Sequence, residues 1–244
     1  MRAGLAVAFL LVSGCTSSPL YHAPPTAEPP AGIQSAGRFM LFSMLVRSVA
    51  AANSQGFDWT ARRDEADYTR LQERLTETMT QPFSLQVVDF RDLSEQTLYR
   101  EARWPVQERY YLNPNLMPIV QDAGQEDLML RVGSALYLDY MATALWDYSI
   151  SKIMLRAGRI SCRLQLNLYR PEQGLVWHAE FESSETAEPY DRSLSLDELF
   201  HGYEAVTGAA LNRCEDSVLD QLQSRVRSFP VLRGPTENTD GTRF

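Results

Sequence analysis

Hydrophobic and polar residues alternate most regularly between residues 159 and 182. The first half of this stretch has an apolar set at a spacing of two, made up of Ile160, Cys162, Leu164, Leu166 and Leu168. After the turn residues 170–174, the same spacing separates Leu175, Trp177, Ala179 and Phe181 from Val176, His178, Glu180 and Glu182. Alternate side chains of a strand lie on opposite faces. We therefore predict a hairpin of two strands, each with one buried face.

Helical spacing marks two further segments. Tyr68, Leu71, Leu75 and Met79 recur every three or four residues, which predicts an amphipathic helix that ends near Pro82. A longer helix is predicted to begin at Ser195, because Glu198 follows it at the spacing of a capping box. The apolar stripe of this helix is Leu199, Tyr203, Val206, Ala210, Cys214, Val218 and Leu222.

The remaining segments are less periodic. The apolar run within residues 38–52 fits a buried strand and a buried helix equally well. Residues 83–90 and 128–138 read as strands, residues 92–103 have helical character, and Asn113-Pro114 is a helix start signal. One-sided strands beside amphipathic helices predict an α+β fold, in which a mainly antiparallel sheet packs in two layers against helices.

The N-terminal segment has the three parts of a secretory signal. Arg2 precedes the apolar residues 5–12, and Val12-Ser13-Gly14-Cys15 follows. These last four residues resemble the lipobox of bacterial lipoproteins, which implies cleavage between Gly14 and Cys15 and a lipid on Cys15. The apolar run is shorter than the roughly 20 residues that span a bilayer. Thr16 is not the Asp that marks inner-membrane retention in enterobacterial members of this class, which implies an outer-membrane anchor facing the periplasm.

These observations divide the chain into four parts. Residues 1–14 are the expected signal peptide, and residues 15–37 are an expected lipid-anchored tether that is rich in proline and poor in apolar residues. Residues 38–229 are the expected periplasmic α+β domain, which is long enough for one sizeable core. Residues 230–244 contain turn-forming residues and are expected to be a disordered tail.

The net charge of the chain bears on which classes of partner it can bind. Lys and Arg number 23 against 31 Asp and Glu, so the formal net charge is −8. The sequence contains no polybasic stretch, which argues against a nucleic-acid partner and against electrostatic binding to membranes. We therefore expect the chain to meet the membrane through its lipid anchor.

Two cysteines remain in the expected domain. Cys162 lies on the apolar side of its strand and Cys214 on the apolar stripe of the last helix, so both are expected to face one core. A compartment outside the cytoplasm permits disulfides, and a bridge requires Cα atoms within about 7 Å of each other. The pair is either a disulfide or two buried thiols that pack as small hydrophobic residues.

The sequence contains none of the short motifs that mark common hydrolases. It lacks Gly-x-Ser-x-Gly, His-Glu-x-x-His, Cys-x-x-Cys and a glycine-rich phosphate loop. His22 lies in the expected tether, whereas His178 and His201 lie near carboxylates that could orient a general base. A histidine on a charged face is usually solvated, so we predict no catalytic residue, no metal site and no cofactor.

The order of predicted elements behind the lipobox is similar to that of small periplasmic lipoproteins of the curli-secretion and penicillin-binding-protein-activator type. The similarity covers residues 62–225 and depends on the element order and on the hairpin at residues 160–181. It implies a role through protein contacts, without an active site.

We therefore expect a non-enzymatic outer-membrane lipoprotein that binds an envelope protein partner. Its expected role is that of an accessory or assembly component of a complex for secretion, transport or wall synthesis. One alternative is a periplasmic lipid- or small-ligand-binding lipoprotein, which the apolar run at residues 39–46 and the aromatic content motivate. The other alternative is an envelope hydrolase that uses His178 or His201.

Overall fold

A computed structural model describes residues 30–50, 65–89, 92–93, 97–101, 104, 111–112, 117–120, 122–153, 156–186 and 196–232. The expected signal peptide, the lipobox with Gly14 and Cys15, and most of the expected tether and tail lie outside the described residues. In chain order the elements are β1 (Ile33–Gln34), β2 (Arg38–Ala50), α1 (Glu65–Thr80), a 3-10 turn (Gln81–Phe83), β3 (Gln86–Val87), α2 (Thr97–Glu101), β4 (Tyr111–Leu112), α3 (Ala123–Ala135), β5 (Tyr140–Ile153), β6 (Arg156–Arg170), β7 (Gly174–Thr186), α4 (Leu196–Arg227) and β8 (Val231–Leu232).

Four long strands form the centre of the molecule in the order β2-β5-β6-β7. Strand β2 is parallel to β5, whereas β5, β6 and β7 are antiparallel to their neighbours. The short strands β3 and β4 pair with β2 at its free edge. The fold is therefore α+β with a mixed, mostly antiparallel open sheet, which confirms the predicted class.

Helices α1 and α4 cover one face of this sheet, which we call the helix-covered face. The predicted helical positions Tyr68, Leu71, Leu75 and Met79 of α1 are buried there, as are Ala210, Cys214, Val218 and Leu222 of α4. Two polar contacts fix the helices within this apolar layer. The Tyr68 hydroxyl donates to the Met44 carbonyl at 2.5 Å, and the Tyr148 hydroxyl donates to Glu215 Oε1 at 2.7 Å. Both predicted helices are confirmed, and the described part of each apolar stripe belongs to the core. The side chains of Leu199, Tyr203 and Val206 in the predicted α4 stripe lie outside the described ones.

The opposite face is also covered near the start of β2 and β5. Met40, Phe42 and Met141 pack there with Met129 and Val132 of α3. Because β2 is buried on both faces, its apolar run needs no alternation. In the segment at 38–52, which fitted strand and helix equally well, Arg38–Ala50 is a strand, and residues 51–52 lie outside the described residues. Its apolar residues are part of the protein core, which accounts for the run that motivated the lipid-binding alternative.

The predicted strand at residues 128–138 is wrong. Helix α3 occupies residues 123–135, and its start is fixed by Asp122, whose side chain accepts a hydrogen bond from the Gln125 backbone N–H at 2.9 Å. Met129, Val132 and Leu136 are buried at helical spacing. The strand was predicted because leucines at even-numbered positions in this segment gave an apparent spacing of two residues. The strand that the prediction missed begins immediately afterwards, at Tyr140.

The predicted hairpin is present as β6 and β7, but two residues near its turn lie on the faces opposite to those predicted. The register shifts between Leu168 and Tyr169, so that Leu175 packs with the α3 side and Val176 against the helix-covered side. Gly174 closes the turn at a φ of +76°, where a side chain would be strained. From Trp177 onward the expected faces hold, and Trp177 is buried beneath α4 with Phe229 in edge-to-face contact at 4.9 Å.

The folded region also extends past both expected boundaries. Strands β1 and β8 pair with each other, although the sequence assigned them to the tether and the tail. Ile33 is buried in the core, so it cannot belong to a solvated tether. Of the strand expected at 83–90, only Gln86–Val87 is a strand. The helix expected at 92–103 includes Thr97–Glu101. The predicted helix start at Asn113-Pro114 lies outside the described residues.

Across the described ranges, no helix has the length and apolar character that crossing a bilayer requires.

Candidate interaction site on the polar face of the sheet

The side of the sheet opposite α1 and α4 changes from apolar to polar along the strands. Past the part covered by α3, it carries polar side chains from all four long strands. On β2 and β5 these polar positions are interrupted by Leu45 and Leu145, which are buried together with Ile119. We call the set of polar side chains the polar face and define it as Ser43, Arg47, Thr143, Asp147, Arg163, Gln165, Asn167, His178 and Glu180. The strands place these side chains at fixed spacings, because cross-strand neighbours share a face of the sheet.

The first row of the polar face is buried. Ser43, Thr143, Asn167 and His178 are cross-strand neighbours in β2, β5, β6 and β7, and each is at most 5% exposed. Asn167 Nδ2 donates to Thr143 Oγ1 at 3.3 Å, and Asn167 Oδ1 lies 2.5 Å from His178 Nδ1. Because an amide oxygen can only accept, this contact requires the tautomer of His178 that carries its proton on Nδ1. The sequence placed His178 correctly on the polar side, but the expectation that it is solvated is wrong.

Glu180 joins the buried row to the exposed part of the face. Its Oε1 accepts a hydrogen bond from Gln165 Nε2 at 3.2 Å and lies 3.8 Å from His178 Nε2. Its Oε2 accepts one from Arg163 Nη2 at 2.5 Å. The side chains of Arg163 and Glu180 are 42% and 41% exposed. This ion pair can therefore contact another molecule without any rearrangement of the core.

A second ion pair lies deeper, between the two parallel strands. Arg47 donates from Nε and Nη2 to the two carboxylate oxygens of Asp147, at 2.5 and 2.7 Å. The side chains are 25% and 12% exposed, so water screens this pair less than the Arg163–Glu180 pair. A two-point contact between guanidinium and carboxylate fixes both side chains in orientation. The polar face is thus rigid on the β2–β5 side and accessible on the β6–β7 side.

Two buried side-chain oxygens of the polar face lack a hydrogen-bond partner within the protein. They are Ser43 Oγ and Gln165 Oε1. A buried polar atom without a partner costs about 1–3 kcal/mol. On the helix-covered face, the same holds for Trp146 Nε1.

The serine of the buried row is not a neighbour of His178. Ser43 stands in the same row three strands away, about 14 Å at the usual strand spacing of about 4.8 Å. The nearest neighbour is the amide of Asn167, which holds one ring nitrogen. The side chain of His201 lies outside the described residues, and within the described part of the chain no cluster of His, Cys, Asp or Glu has the makings of a metal site.

The two cysteines do meet beneath α4. Cys162 and Cys214 are both buried, and a hydrogen bond with the Cys162 side chain lowers the pKa of the Cys214 thiol, while burial acts in the opposite direction. The Sγ of Cys214 also lies 3.3 Å from the Ser183 carbonyl oxygen. The structure holds the pair as two thiols, and the disulfide stays a prediction.

Arg47, Asp147 and Gln165 were not predicted as site residues from the sequence. Gln165 was within reach, because it belongs to the polar set of a strand that was predicted. Arg47 and Asp147 were not, since they are separated by 100 residues and meet only through the parallel pairing of β2 with β5.

Neither protein-family models nor curated protein sequences match this chain. Solved structures do. The chain is similar to the LpoB C-terminal domain from Salmonella enterica, at 13% identity over 63% of this chain and 87% of that one, with a TM-score of 0.36. It is similar to lipoprotein GNA1162 from Neisseria meningitidis, at 11% identity over 72% and 99% of the chains, with a TM-score of 0.37. It is also similar to the hypothetical protein CT253 from Chlamydia trachomatis, at 9% identity over 79% and 98%, with a TM-score of 0.40.

These are distant similarities of fold, and one of the three proteins is named a lipoprotein, the class that the element order predicted.

Proposed function

We propose that this protein is a non-enzymatic lipoprotein of the outer membrane that docks an envelope protein partner on its polar face. The lipobox-like segment that ends at Cys15 supports the location, because it predicts a lipid on the first residue of the mature chain. The partner would be a component of a secretion, transport or wall-synthesis complex, for which this chain is an accessory.

The observation that carries the docking role is the exposed Arg163–Glu180 pair, held on long strands beside a buried polar row. Charged side chains on a rigid scaffold give a partner orientation and specificity, and they speed its encounter. A partner surface that offers its own charged groups can exchange contacts with this pair at little cost, since an exposed ion pair is worth about 0–1 kcal/mol.

The test is capture of the lipidated, detergent-solubilised protein from envelopes, followed by quantification of the proteins that copurify in fixed ratio. Arg163→Glu is expected to lower the recovery of the partner at least tenfold. Arg70→Glu is the matched control, because Arg70 also forms an exposed ion pair, with Asp67 at 50% and 40% exposure, but on helix α1. This control is expected to leave recovery unchanged.

A charge swap separates binding from folding. The double variant Arg163→Glu/Glu180→Arg rebuilds an internal ion pair with reversed polarity. If the polar face contacts the partner, the swap stays defective, and if the pair serves only the fold, the swap restores recovery. Equal recovery with all variants, or an unmodified Cys15 in the mass spectrum of the mature protein, would contradict the proposed function.

A further inference from the structure

We infer that Cys162 and Cys214 form a disulfide that fastens the middle of helix α4 to the central strand β6. The two residues lie on facing elements, and both side chains are fully buried. This inference uses the proposed export only as the source of an oxidant, because disulfides persist in compartments outside the reducing cytoplasm.

Backbone contacts fix the position of the Cys214 sulfur above its partner. Its Sγ lies 3.3 Å from the Ser183 carbonyl oxygen and 3.9 Å from the Ile160 carbonyl oxygen. Ser183 is the cross-strand neighbour of Cys162, and Ile160 precedes Cys162 on the same face by two residues. The sulfur of Cys214 is therefore centred over the point of the sheet at which Cys162 projects toward the helix.

The hydrogen bond between the two side chains shows that they meet in the folded protein, where it lowers the pKa of the Cys214 thiol. Thiolate is the form that attacks a disulfide, and either cysteine can react first during folding. When Cys214 reacts first, its Sγ would attack one sulfur of an external disulfide, such as that of an exported thiol oxidoreductase or oxidised glutathione, and release the other sulfur of that disulfide as a thiolate.

Cys162, after it loses its proton, would then attack Cys214 Sγ and release the second sulfur of the oxidant. The two cysteines lose two electrons, which reduce the oxidant to two thiols, and the two thiol protons pass to the leaving sulfurs. Because both cysteines are buried in the folded protein, we expect this reaction to take place while the chain folds.

Differential alkylation with peptide mapping tests the inference, because it measures each cysteine separately from Cys15. The mature protein is isolated from cell envelopes, unfolded without reductant and alkylated. Neither Cys162 nor Cys214 is expected to take up label until a reductant is added. In Cys162→Ala and Cys214→Ala, the remaining cysteine is expected to label without reductant, which shows that the reagent reaches each site. Labelling of both cysteines in the unreduced wild-type protein would mean that cells do not form the bond.

A second arm separates the geometry from the compartment. The purified full-length mature protein is reduced and then equilibrated with mixtures of reduced and oxidised glutathione. Formation of the internal disulfide supports the pairing, and thiols or glutathione adducts at both sites overturn it. If the bond forms in this mixture but not in cells, the location proposed above fails and the pairing stands. The urea midpoint of the oxidised protein is expected to exceed that of the reduced protein by about 1–2 M.

Discussion

The helix-covered face and the polar face belong to the same four strands, yet they are held in different ways. On the helix-covered face, large apolar side chains such as Trp146, Trp177 and Leu164 are removed from water by α1 and α4. On the polar face, the neighbours of these residues in sequence form hydrogen bonds and ion pairs with one another. The alternation of the strand separates the two roles residue by residue.

This separation has an energetic consequence. Burial of one large apolar side chain stabilises the fold by about 1.5–3 kcal/mol, whereas an exposed ion pair contributes about 0–1 kcal/mol. The apolar cluster under α1 and α4 and the smaller one under α3 therefore stabilise the sheet more than its exposed ion pair does. The exposed Arg163–Glu180 pair can exchange its contacts with those of a partner without endangering the fold.

The largest predicted effect is on the helix-covered face. Trp177→Ala removes a ring that is 1% exposed and packs edge-to-face on Phe229. We expect the free energy of unfolding in urea to fall by about 3–5 kcal/mol. The matched aromatic control is Tyr137→Ala, because Tyr137 is 82% exposed, and its loss is expected to change stability by less than about 0.5 kcal/mol. A loss of stability at Trp177 as small as the one expected at Tyr137 would contradict the stabilising role of the helix-covered face.

The next effect tests the deeper ion pair of the polar face. Asp147→Ala removes the carboxylate that accepts two hydrogen bonds from the Arg47 guanidinium. We expect a loss of about 1.5–3 kcal/mol for the single variant, because a hydrogen bond to a charged group is worth about that much. The double variant Arg47→Ala/Asp147→Ala should lose less than the two single variants summed. Strict additivity in this cycle would mean that the pair contributes no coupling energy.

A smaller effect of opposite sign is expected in the buried row. Ser43→Ala removes a hydroxyl that has no hydrogen-bond partner, so stability measured by urea unfolding should stay equal or rise by up to about 1 kcal/mol. Thr143→Val is the control, because the Thr143 hydroxyl accepts from Asn167. That variant should lose about 1 kcal/mol. A marked loss in Ser43→Ala would reveal that the hydroxyl is satisfied by an ordered water.

The difference between the faces also explains what could be predicted from the sequence. The hairpin of β6 and β7 and the stripes of α1 and α4 were predictable, because each buries one side and therefore shows a period. Strand β5 was missed, because residues 140–146 are buried on both faces and carry no alternation. A periodic pattern of apolar residues appears where an element is buried on one side, and it is absent where the element is buried on both sides.

The polar face was only partly predictable for a second reason. The polar side of β6 and β7 follows from alternation, and the sequence placed Glu180 and His178 there. The burial of His178 depends on its row in the folded sheet, and the contact between Arg47 and Asp147 depends on the register of two parallel strands. Neither the cross-strand row nor the strand register can be read from the order of apolar and polar residues along one segment.

The smallest stability effect is expected at the exposed pair, and it sharpens the comparison most. In a double-mutant cycle of Arg163→Ala and Glu180→Ala, the coupling energy from urea unfolding should stay below about 1 kcal/mol and shrink further in 0.5 M salt, since exposed pairs are screened. The Arg47–Asp147 cycle should give the larger coupling and respond less to salt, because its side chains are 25% and 12% exposed rather than 42% and 41%. If the exposed pair instead coupled as strongly as the deeper one, Arg163 would be a structural residue, and its substitution could not separate partner binding from folding.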